Sequence, residues 1–174
     1  LSDLKPGLHE LEGYCRSLMR GVGDVLSRRL SDWRGKCTRA IWDVGLLAGA
    51  HRRDISSRFP RSVGHVLVLC KGNICRSPFA DRWLHSKLSE LNIPVEISSA
   101  GLDTTSGKEA YPLATVVSRD FGIDLRSHRT TMVSKELVME ADVILVMEVA
   151  HIRQLLEKFP DAGGRTFLLG HFAE

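Results

Sequence analysis

The sequence predicts an α/β protein in which a four-stranded parallel sheet carries helices on both faces. Between residues 63 and 174, short runs rich in Val, Leu and Ile alternate with segments that have apolar residues at helical spacing. The first and third runs are apolar throughout, which is typical of parallel strands buried on both faces. The predicted strands are Val66–Leu69, Val95–Ser99, Val143–Met147 and Thr166–Leu169.

Residues 1–50 are predicted to form a helical extension ahead of this sheet. Apolar residues recur at helical spacing over residues 8–30 and again over residues 33–47, which favours an antiparallel pair of helices. Residues 51–62 are polar, basic and interrupted by a proline, so we interpret them as a connector. The α/β domain then comprises residues 63–174.

The segments between the predicted strands fit helices. One helix is predicted over residues 79–91, a second over Pro112–Phe121 with Gly122 as its stop signal, and a third over Ala150–Phe159. Parallel strands need a crossover connection between them, and helices in that position cover the faces of the sheet. Ligands of such sheets bind beyond the carboxyl ends of the strands.

The most informative stretch reads H-V-L-V-L-C-K-G-N-I-C-R-S-P and runs from His65 to Pro78. A buried strand is followed by Gly72 and Asn73, two residues that tolerate left-handed backbone angles. Pro78 then suits the first turn of a helix. A strand, a tight loop and a helix start can hold phosphate, because the loop N–H groups turn inward and the helix dipole adds positive potential.

Cys70 and Arg76 stand at the two ends of this loop with the spacing C-x5-R. The thiolate is the nucleophilic form of cysteine, and a helix N-terminus and a nearby cation both stabilise it. Arg76 offers a planar fork that binds two oxygens of one phosphoryl group, and Ser77 can donate a hydrogen bond to the thiolate. A buried cysteine before a solvent-facing turn is the alternative, because a bare C-x5-R also arises by chance.

Composition and charge limit the function classes. Hydrophobic residues make up 43% of the chain and charged residues 26%, which indicates a globular and not a disordered protein. Lys and Arg exceed Asp and Glu by 12 to 7 in residues 1–61, whereas the counts in residues 62–174 are 12 and 14. A solvated basic face is the simplest interpretation, and contact of the basic helices with a membrane surface is a minority alternative. Nothing in the sequence favours a nucleic-acid partner.

The four cysteines of this 174-residue chain do not make a disulfide framework. No apolar run approaches a membrane span, which needs about 18 residues, and no signal peptide is visible. Together with a reactive thiol, these features predict a reducing compartment and therefore a cytoplasmic protein. No Cys or His group has the spacing of zinc ligands, so we expect neither a metal nor another cofactor.

The full string C-K-G-N-I-C-R-S-P resembles the phosphate loop of the low-molecular-weight protein tyrosine phosphatases. The likeness covers residues 63–174 and implies hydrolysis of phosphotyrosine through a phosphocysteine intermediate. Further segments occur in family order, namely S-S-A-G at Ser98–Gly101, G-I-D-L-x-S-H-R at Gly122–Arg129, A-D-V-I-L-V-M-E at Ala141–Glu148 and L-L-G-H-F at Leu168–Phe172.

The resemblance implies a role for each candidate residue. Cys70 is the nucleophile, and Arg76 binds the phosphoryl group and stabilises the transition state. Cys75 either forms a protective disulfide with Cys70 on oxidation or only packs, and both readings stay open. The loop residues expected to bind phosphate or another oxyanion are Lys71, Gly72, Asn73, Ile74, Cys75 and Ser77. The side chains expected to fix the loop in a hydrogen-bond network are Asn73, Ser77, Ser99 and His128.

Two departures from the family pattern stand out. The family's general acid is an aspartate in an Asp-Pro motif soon after L-L-G-H-F, and no Asp-Pro occurs in this sequence. The expectation is therefore either that the domain is truncated after Glu174 or that the phosphatase is impaired. A module that captures phosphotyrosine with little turnover is one alternative. Where many relatives carry an aromatic residue after S-A-G, this chain has Leu102, our candidate for the substrate wall.

Two related activities can be weighed. Protein arginine phosphatases resemble this loop but carry Thr where Ile74 stands, so an arginine phosphatase remains a second alternative. Arsenate reductases need further cysteines downstream, and none follows Cys75. The missing aromatic residue, together with Gly107–Lys108, resembles the bacterial subgroup that acts on tyrosine kinases of capsule and exopolysaccharide export. The implied partner is a phosphotyrosine protein such as a membrane-associated bacterial tyrosine kinase.

Overall fold

The computed structural model describes residues 59–172. The predicted helical extension and most of the predicted connector therefore lie outside the described residues. The strands are β1 (His65–Cys70), β2 (Glu96–Gly101), β3 (Val143–Val146) and β4 (Thr166–Leu168). The helices are α1 (Arg76–Glu90), α2 (Pro112–Ser118), α3 (Lys135–Glu140) and α4 (Val149–Lys158), with 3-10 turns at Arg119–Phe121, Pro160–Arg165 and Leu169–Phe172.

The four strands form one parallel sheet in the order β2-β1-β3-β4, which confirms the predicted fold class. Alternate side chains of β1 enter two separate cores because successive residues of a strand point to opposite faces. Val66 and Val68 pack in the core that includes Trp83 of α1, whereas Leu67 and Leu69 pack in the core beneath α3 and α4. Helices therefore cover both faces.

The strand order places a topological switch point between β1 and β3. The chain leaves β1 toward β2 on one side and later returns to β3 on the other side. In sheets of this kind the crevice at the carboxyl ends of the two central strands is the usual ligand site. The loop from Cys70 to Arg76 and the turn at Met147–Glu148 both open into that crevice.

Two helices differ from the prediction. The predicted helix Pro112–Phe121 ends its α-helical part at Ser118, and a 3-10 turn continues it to Gly122, whose φ of 73° confirms the expected stop. Helix α3 was not predicted, because its six residues carry one buried side chain, Val138, and so leave little periodic signal. Within residues 59–172 no helix combines the length and apolarity that crossing a bilayer requires.

The end of the predicted connector belongs to the core. Phe59 is 7% exposed, and its ring centroid lies 5.2 Å from that of Phe167 and 5.8 Å from that of Phe172. Val63 is buried in the same core. The α/β domain therefore includes Phe59, which lies ahead of the predicted boundary between residues 62 and 63.

Because Phe59 fills space between two other aromatic rings, Phe59→Ala should lower the free energy of unfolding by about 3–5 kcal/mol. Urea denaturation of the 174-residue chain measures this loss. Arg61→Ala is the matched control, since Arg61 is exposed and surface changes usually stay within about 0.5 kcal/mol. Equal stability of the two variants would place Phe59 outside the cooperative core.

Candidate active site

The loop between β1 and α1 lies at the carboxyl edge of the sheet. Cys70 ends β1 and is 3% exposed, while Asn73 and Ser77 are fully buried. Helix α1 begins at Arg76, and the residue before it, Cys75, provides no side-chain hydrogen bond to the helix end. The Cys75 side chain therefore accepts no hydrogen bond from the first N–H groups of this 15-residue helix. Helix ends that bind anions have such N–H groups, which are left to donate to the anion.

Two hydrogen-bonding groups converge on the Cys70 sulfur. The Ser77 Oγ lies 3.0 Å from Sγ, and the backbone N–H of Asn73 donates to Sγ over 3.3 Å. The Asn73 side-chain Nδ2 donates to the Ser77 Oγ over 2.9 Å, so the hydroxyl hydrogen of Ser77 is free to point at the sulfur. Both donors favour a negatively charged sulfur, which is the reactive form.

Asn73 holds the loop in shape. Its φ of 51° lies in the left-handed region, where asparagine is one of the few residues that fit readily. Its Oδ1 accepts from the Thr131 N–H at 2.9 Å, and its carbonyl oxygen lies 2.7 Å from His128 Nε2. That nitrogen must carry the proton, since a carbonyl oxygen only accepts. The structure thus joins Asn73, Ser77 and His128 in one hydrogen-bond network.

Ser99 has a different partner from the one expected. Its hydroxyl donates to Asp81 Oδ2 on α1 over 2.8 Å, not to Asn73 or Ser77. Burial raises the pKa of Asp81 above its ordinary value, although the hydrogen bond from Ser99 acts in the opposite direction. Sequence reasoning missed Asp81. Its position one helical turn after Ser77 was the available signal, because residues four apart share a helix face.

Leu102 is not part of a substrate wall. Its side chain is 1% exposed and packs in the core with Leu67 and Leu69, so it has no surface to offer a substrate. Its contribution is through the backbone, since the Leu102 N–H donates to the Cys70 carbonyl over 3.0 Å. The prediction failed because the sequence does not show whether an apolar residue that follows a strand faces the core or the substrate crevice.

Gly101 lets β2 approach the loop closely. A Cβ atom at this position would lie 3.0 Å from the Lys71 carbonyl oxygen and 3.1 Å from the Asn73 nitrogen. Both distances are tighter than ordinary van der Waals contact, and both atoms belong to backbone that cannot move away cheaply. The glycine of the S-S-A-G segment is therefore required by the position of the loop backbone.

The Arg76 guanidinium forms an ion pair with Glu148, which directly precedes α4. Burial by itself would raise the pKa of Glu148, but the hydrogen bond and the charge of Arg76 outweigh it, so the pKa lies below its ordinary value. Sequence reasoning assigned no role to Glu148, although it closes the A-D-V-I-L-V-M-E segment. His151 is buried about one turn further along α4. Burial lowers the pKa of His151, and the positive charge of Arg76 lowers it further.

Both cysteines of the loop are free thiols. Burial is the largest cause that raises the pKa of Cys75, the nearby Cys70 raises it further, and Arg76 lowers it in part. The Cys75 thiol therefore ionises less readily than an ordinary thiol. Whether it pairs with Cys70 on oxidation stays a prediction. In the part of the chain that the structure describes, no cluster of His, Cys, Asp or Glu could hold a metal ion.

The comparisons with known proteins agree with this geometry. Residues 65–174 match the family described as "Low molecular weight phosphotyrosine protein phosphatase". The chain belongs to that family. The phosphatase Wzb of Escherichia coli strain K12 is 40% identical over 108 residues, which are 62% of this chain and 71% of Wzb. This similarity also supports the predicted exopolysaccharide-associated subgroup.

Two solved phosphatase structures share the fold. Wzb from Escherichia coli K30 in complex with sulfate has a TM-score of 0.57 and 36% identity, over 63% of this chain and 74% of that one. The arginine phosphatase YwlE from Geobacillus stearothermophilus has a TM-score of 0.57 and 36% identity, over 63% of this chain and 68% of that one. The family fold is therefore common to enzymes named for two different substrates.

Asn73→Ala removes two side-chain hydrogen bonds and places an alanine in the left-handed region. Because Ser77 loses a buried partner and the backbone is strained, we expect a loss of about 3 kcal/mol in unfolding free energy. Asn73→Gly is the control: it loses the same hydrogen bonds without the strain and should be less destabilised. Chemical denaturation of both variants separates the two causes. Parent-like stability of Asn73→Ala would contradict the assigned role.

The pKa of Asp81 gives a pH-dependent prediction. A carboxyl whose pKa is raised by folding costs stability once the pH exceeds that pKa. Asp81→Asn, which can still accept from Ser99, should therefore have a higher urea midpoint than the parent at pH 7, and the gap should close on acidification. Asp124→Asn is the control, and its urea midpoint at pH 7 should lie below that of the parent. Hydrogen bonds from Arg126 lower the pKa of exposed Asp124 to about 2, so the charged carboxylate of Asp124 stabilises the fold. The same response in both variants would refute the assignment.

Proposed function

We propose that this chain hydrolyses protein phosphotyrosine through a phosphocysteine on Cys70. The observation that carries the proposal is the convergence of the Ser77 hydroxyl and the Asn73 N–H on the Cys70 sulfur, in a loop that leads directly into the N-terminus of α1. This arrangement stabilises a thiolate and offers donors to phosphoryl oxygens at the same place. Membership of the phosphotyrosine phosphatase family agrees with it.

In the first step the Cys70 thiolate attacks phosphorus. An S–P bond forms, and the bond between phosphorus and the tyrosine oxygen breaks with its electron pair leaving on oxygen. In the second step water attacks phosphorus, the S–P bond breaks, and inorganic phosphate and a proton are released. The Ser77 hydroxyl, 3.0 Å from the sulfur, stabilises the thiolate before attack and again as it departs.

Arg76 is proposed to bind two phosphoryl oxygens through its planar guanidinium. Glu148 holds that group at the crevice mouth through the ion pair, so the side chain is oriented before a substrate arrives. The pKa of Glu148 lies below its ordinary value, which keeps the carboxylate charged and the pair intact at neutral pH. Preorganised charge at the reacting group is typically worth about a hundredfold or more in rate.

The departing tyrosinate needs a proton, because phenol has a pKa of about 10. The family resemblance assigns this proton to an Asp-Pro motif after Leu168–Phe172, and the 174 residues contain no Asp-Pro. General acid catalysis is typically worth about 10²–10⁴-fold. We therefore propose that these residues alone turn over phosphotyrosine more slowly than aryl phosphates with acidic leaving groups.

The proposed partners follow from the same site. The Escherichia coli K30 Wzb structure is a complex with sulfate, and we propose that the loop of this chain likewise binds phosphate or sulfate. The proposed substrate is a phosphotyrosine protein, with a membrane-associated bacterial tyrosine kinase as the specific candidate. Two free thiols in one loop suit a reducing compartment, which supports a cytoplasmic location.

Cys70→Ser should abolish hydrolysis of a phosphotyrosine peptide while the loop still binds inorganic phosphate. A serine hydroxyl is not ionised at neutral pH, but the backbone donors and Arg76 are unchanged. Turnover is measured by phosphate release and binding by calorimetry. Substantial turnover by Cys70→Ser would refute the nucleophile. A parent chain that binds phosphate without turnover would instead support the binding-module alternative.

The YwlE similarity makes arginine phosphatase activity the second candidate. Ile74 is half-buried in the loop and offers an apolar contact to a substrate, which suits an aromatic ring better than a charged guanidinium. We expect a phosphotyrosine peptide to be hydrolysed much faster than a matched phosphoarginine peptide. Comparing kcat/KM for the two peptides on the same chain decides between the activities, and comparable values would rule out the tyrosine preference.

A further inference from the structure

Exposed apolar side chains are concentrated at one place beside the phosphate loop. Among residues 59–172, six large hydrophobic side chains are exposed, and three of them are Tyr111 at 52%, Leu113 at 50% and Val116 at 54%. We name these three residues the α2 ridge. Single exposed hydrophobic residues are ordinary, but here three occur within six positions, and Leu113 and Val116 are spaced to share one helix face, a concentration of the kind that marks an interaction site.

The α2 ridge is fixed next to the loop. The Tyr111 N–H donates to the Ile74 carbonyl over 2.8 Å, which ties the start of α2 to the middle of the loop. The ring centroids of Phe79, in the first turn of α1, and Phe121, directly after α2, lie 5.4 Å apart edge to face. The start of α2 is thereby held against the loop, and the 3-10 turn that follows α2 is held against the first turn of α1.

The outer side of α2 carries apolar side chains. Ala114 packs against the core and Ser118 is buried, its hydroxyl donating to the Thr115 carbonyl over 3.1 Å, while Leu113 and Val116 are exposed. A helix that only covers the core has its apolar residues inside and its polar residues outside. The sequence P-L-A-T-V-V-S of α2 also carries no charge, so this surface is suited to apolar contact.

We propose that the α2 ridge receives apolar side chains that flank the phosphotyrosine of a protein substrate, an inference that rests on the proposed function. Along a helix that rises about 1.5 Å per residue, Leu113 and Val116 lie about 3 and 8 Å beyond Tyr111. An extended peptide advances about 3.3 Å per residue. An extended peptide with its phosphotyrosine in the loop can therefore present neighbouring residues at the spacing of Leu113 and Val116, on a helix that the Tyr111 N–H ties to that loop.

A second copy of the chain is a poorer occupant than a peptide. Stable protein–protein interfaces bury about 1,200 Å² or more. Three side chains on a seven-residue helix are too few to bury such an area by themselves. A peptide that is already anchored by its phosphate needs only a few additional apolar contacts, and the ridge offers that number.

The test uses three substrates: a phosphotyrosine peptide with Leu or Val on both sides, the same peptide with Ser at those positions, and a small aryl phosphate. The double variant Leu113→Ser with Val116→Ser changes only exposed side chains, so the fold should survive. We expect its kcat/KM to fall about tenfold on the apolar peptide, the scale at which pockets discriminate between apolar groups. Its rates on the other two substrates should match the parent.

Leu91→Ser is the matched control, since Leu91 is 42% exposed and follows the far end of the 15-residue α1. It should leave all three rates unchanged. An equal fall on all three substrates in the double variant, or no fall on the apolar peptide, would overturn the proposal. So would a parent dimer that the double variant converts to monomer in sedimentation analysis. An inactive parent on the aryl phosphate reports failure of the proposed function itself.

Discussion

The conformation of Asn73 is the constraint on which the rest of the site depends. Its left-handed backbone turns its N–H toward the Cys70 sulfur, and its side chain holds the Ser77 hydroxyl in position for the same atom. Contacts from Thr131 and His128 keep it there. Because these contacts come from a segment more than fifty residues away, the shape of a seven-residue loop depends on the tertiary structure around it. A loop free of those contacts would lack the support that holds the Asn73 N–H toward the Cys70 sulfur.

The parallel sheet supplies that surrounding structure. Its switch point places the end of β1 between the ends of β2 and β3, so one neighbour comes from each side. From β2, Gly101 allows backbone contact with the loop at a distance that any side chain would prevent. From the β3 side, Glu148 reaches the Arg76 guanidinium. The crevice is therefore a consequence of strand order, and the catalytic proposal depends on both of its walls.

Two carboxyl groups near the loop, those of Glu148 and Asp81, have pKa values shifted in opposite directions. Glu148 is charged and pairs with Arg76, whereas Asp81 is buried and its pKa is raised. The two pKa shifts are opposite because the hydrogen bond and charge of Arg76 outweigh burial at Glu148, whereas burial outweighs the Ser99 hydrogen bond and the neighbouring charges at Asp81. The free site thus presents a cation that Glu148 already positions, and the hydrogen bond between Ser99 and Asp81 joins β2 to α1 nearby. The uncharged α2 ridge adjoins the loop through the hydrogen bond from the Tyr111 N–H to the Ile74 carbonyl.

The sequence by itself determined the fold class, the approximate positions of the four strands along the chain and the candidate phosphate loop. Continuous apolar runs that alternate with helical patterns favour buried parallel strands, and C-K-G-N-I-C-R-S-P places the proposed nucleophile, a cation and the helix start within nine residues of chain. Tertiary structure decided the rest: that Phe59 belongs to the core, that Leu102 is buried, that Ser99 bonds Asp81, and that Glu148 holds Arg76. Each of these depends on which residues distant in sequence meet in space. Local pattern indicates most of the secondary structure, although it missed the short helix α3, and it carries no information on which partner a polar or apolar side chain finds across the sheet.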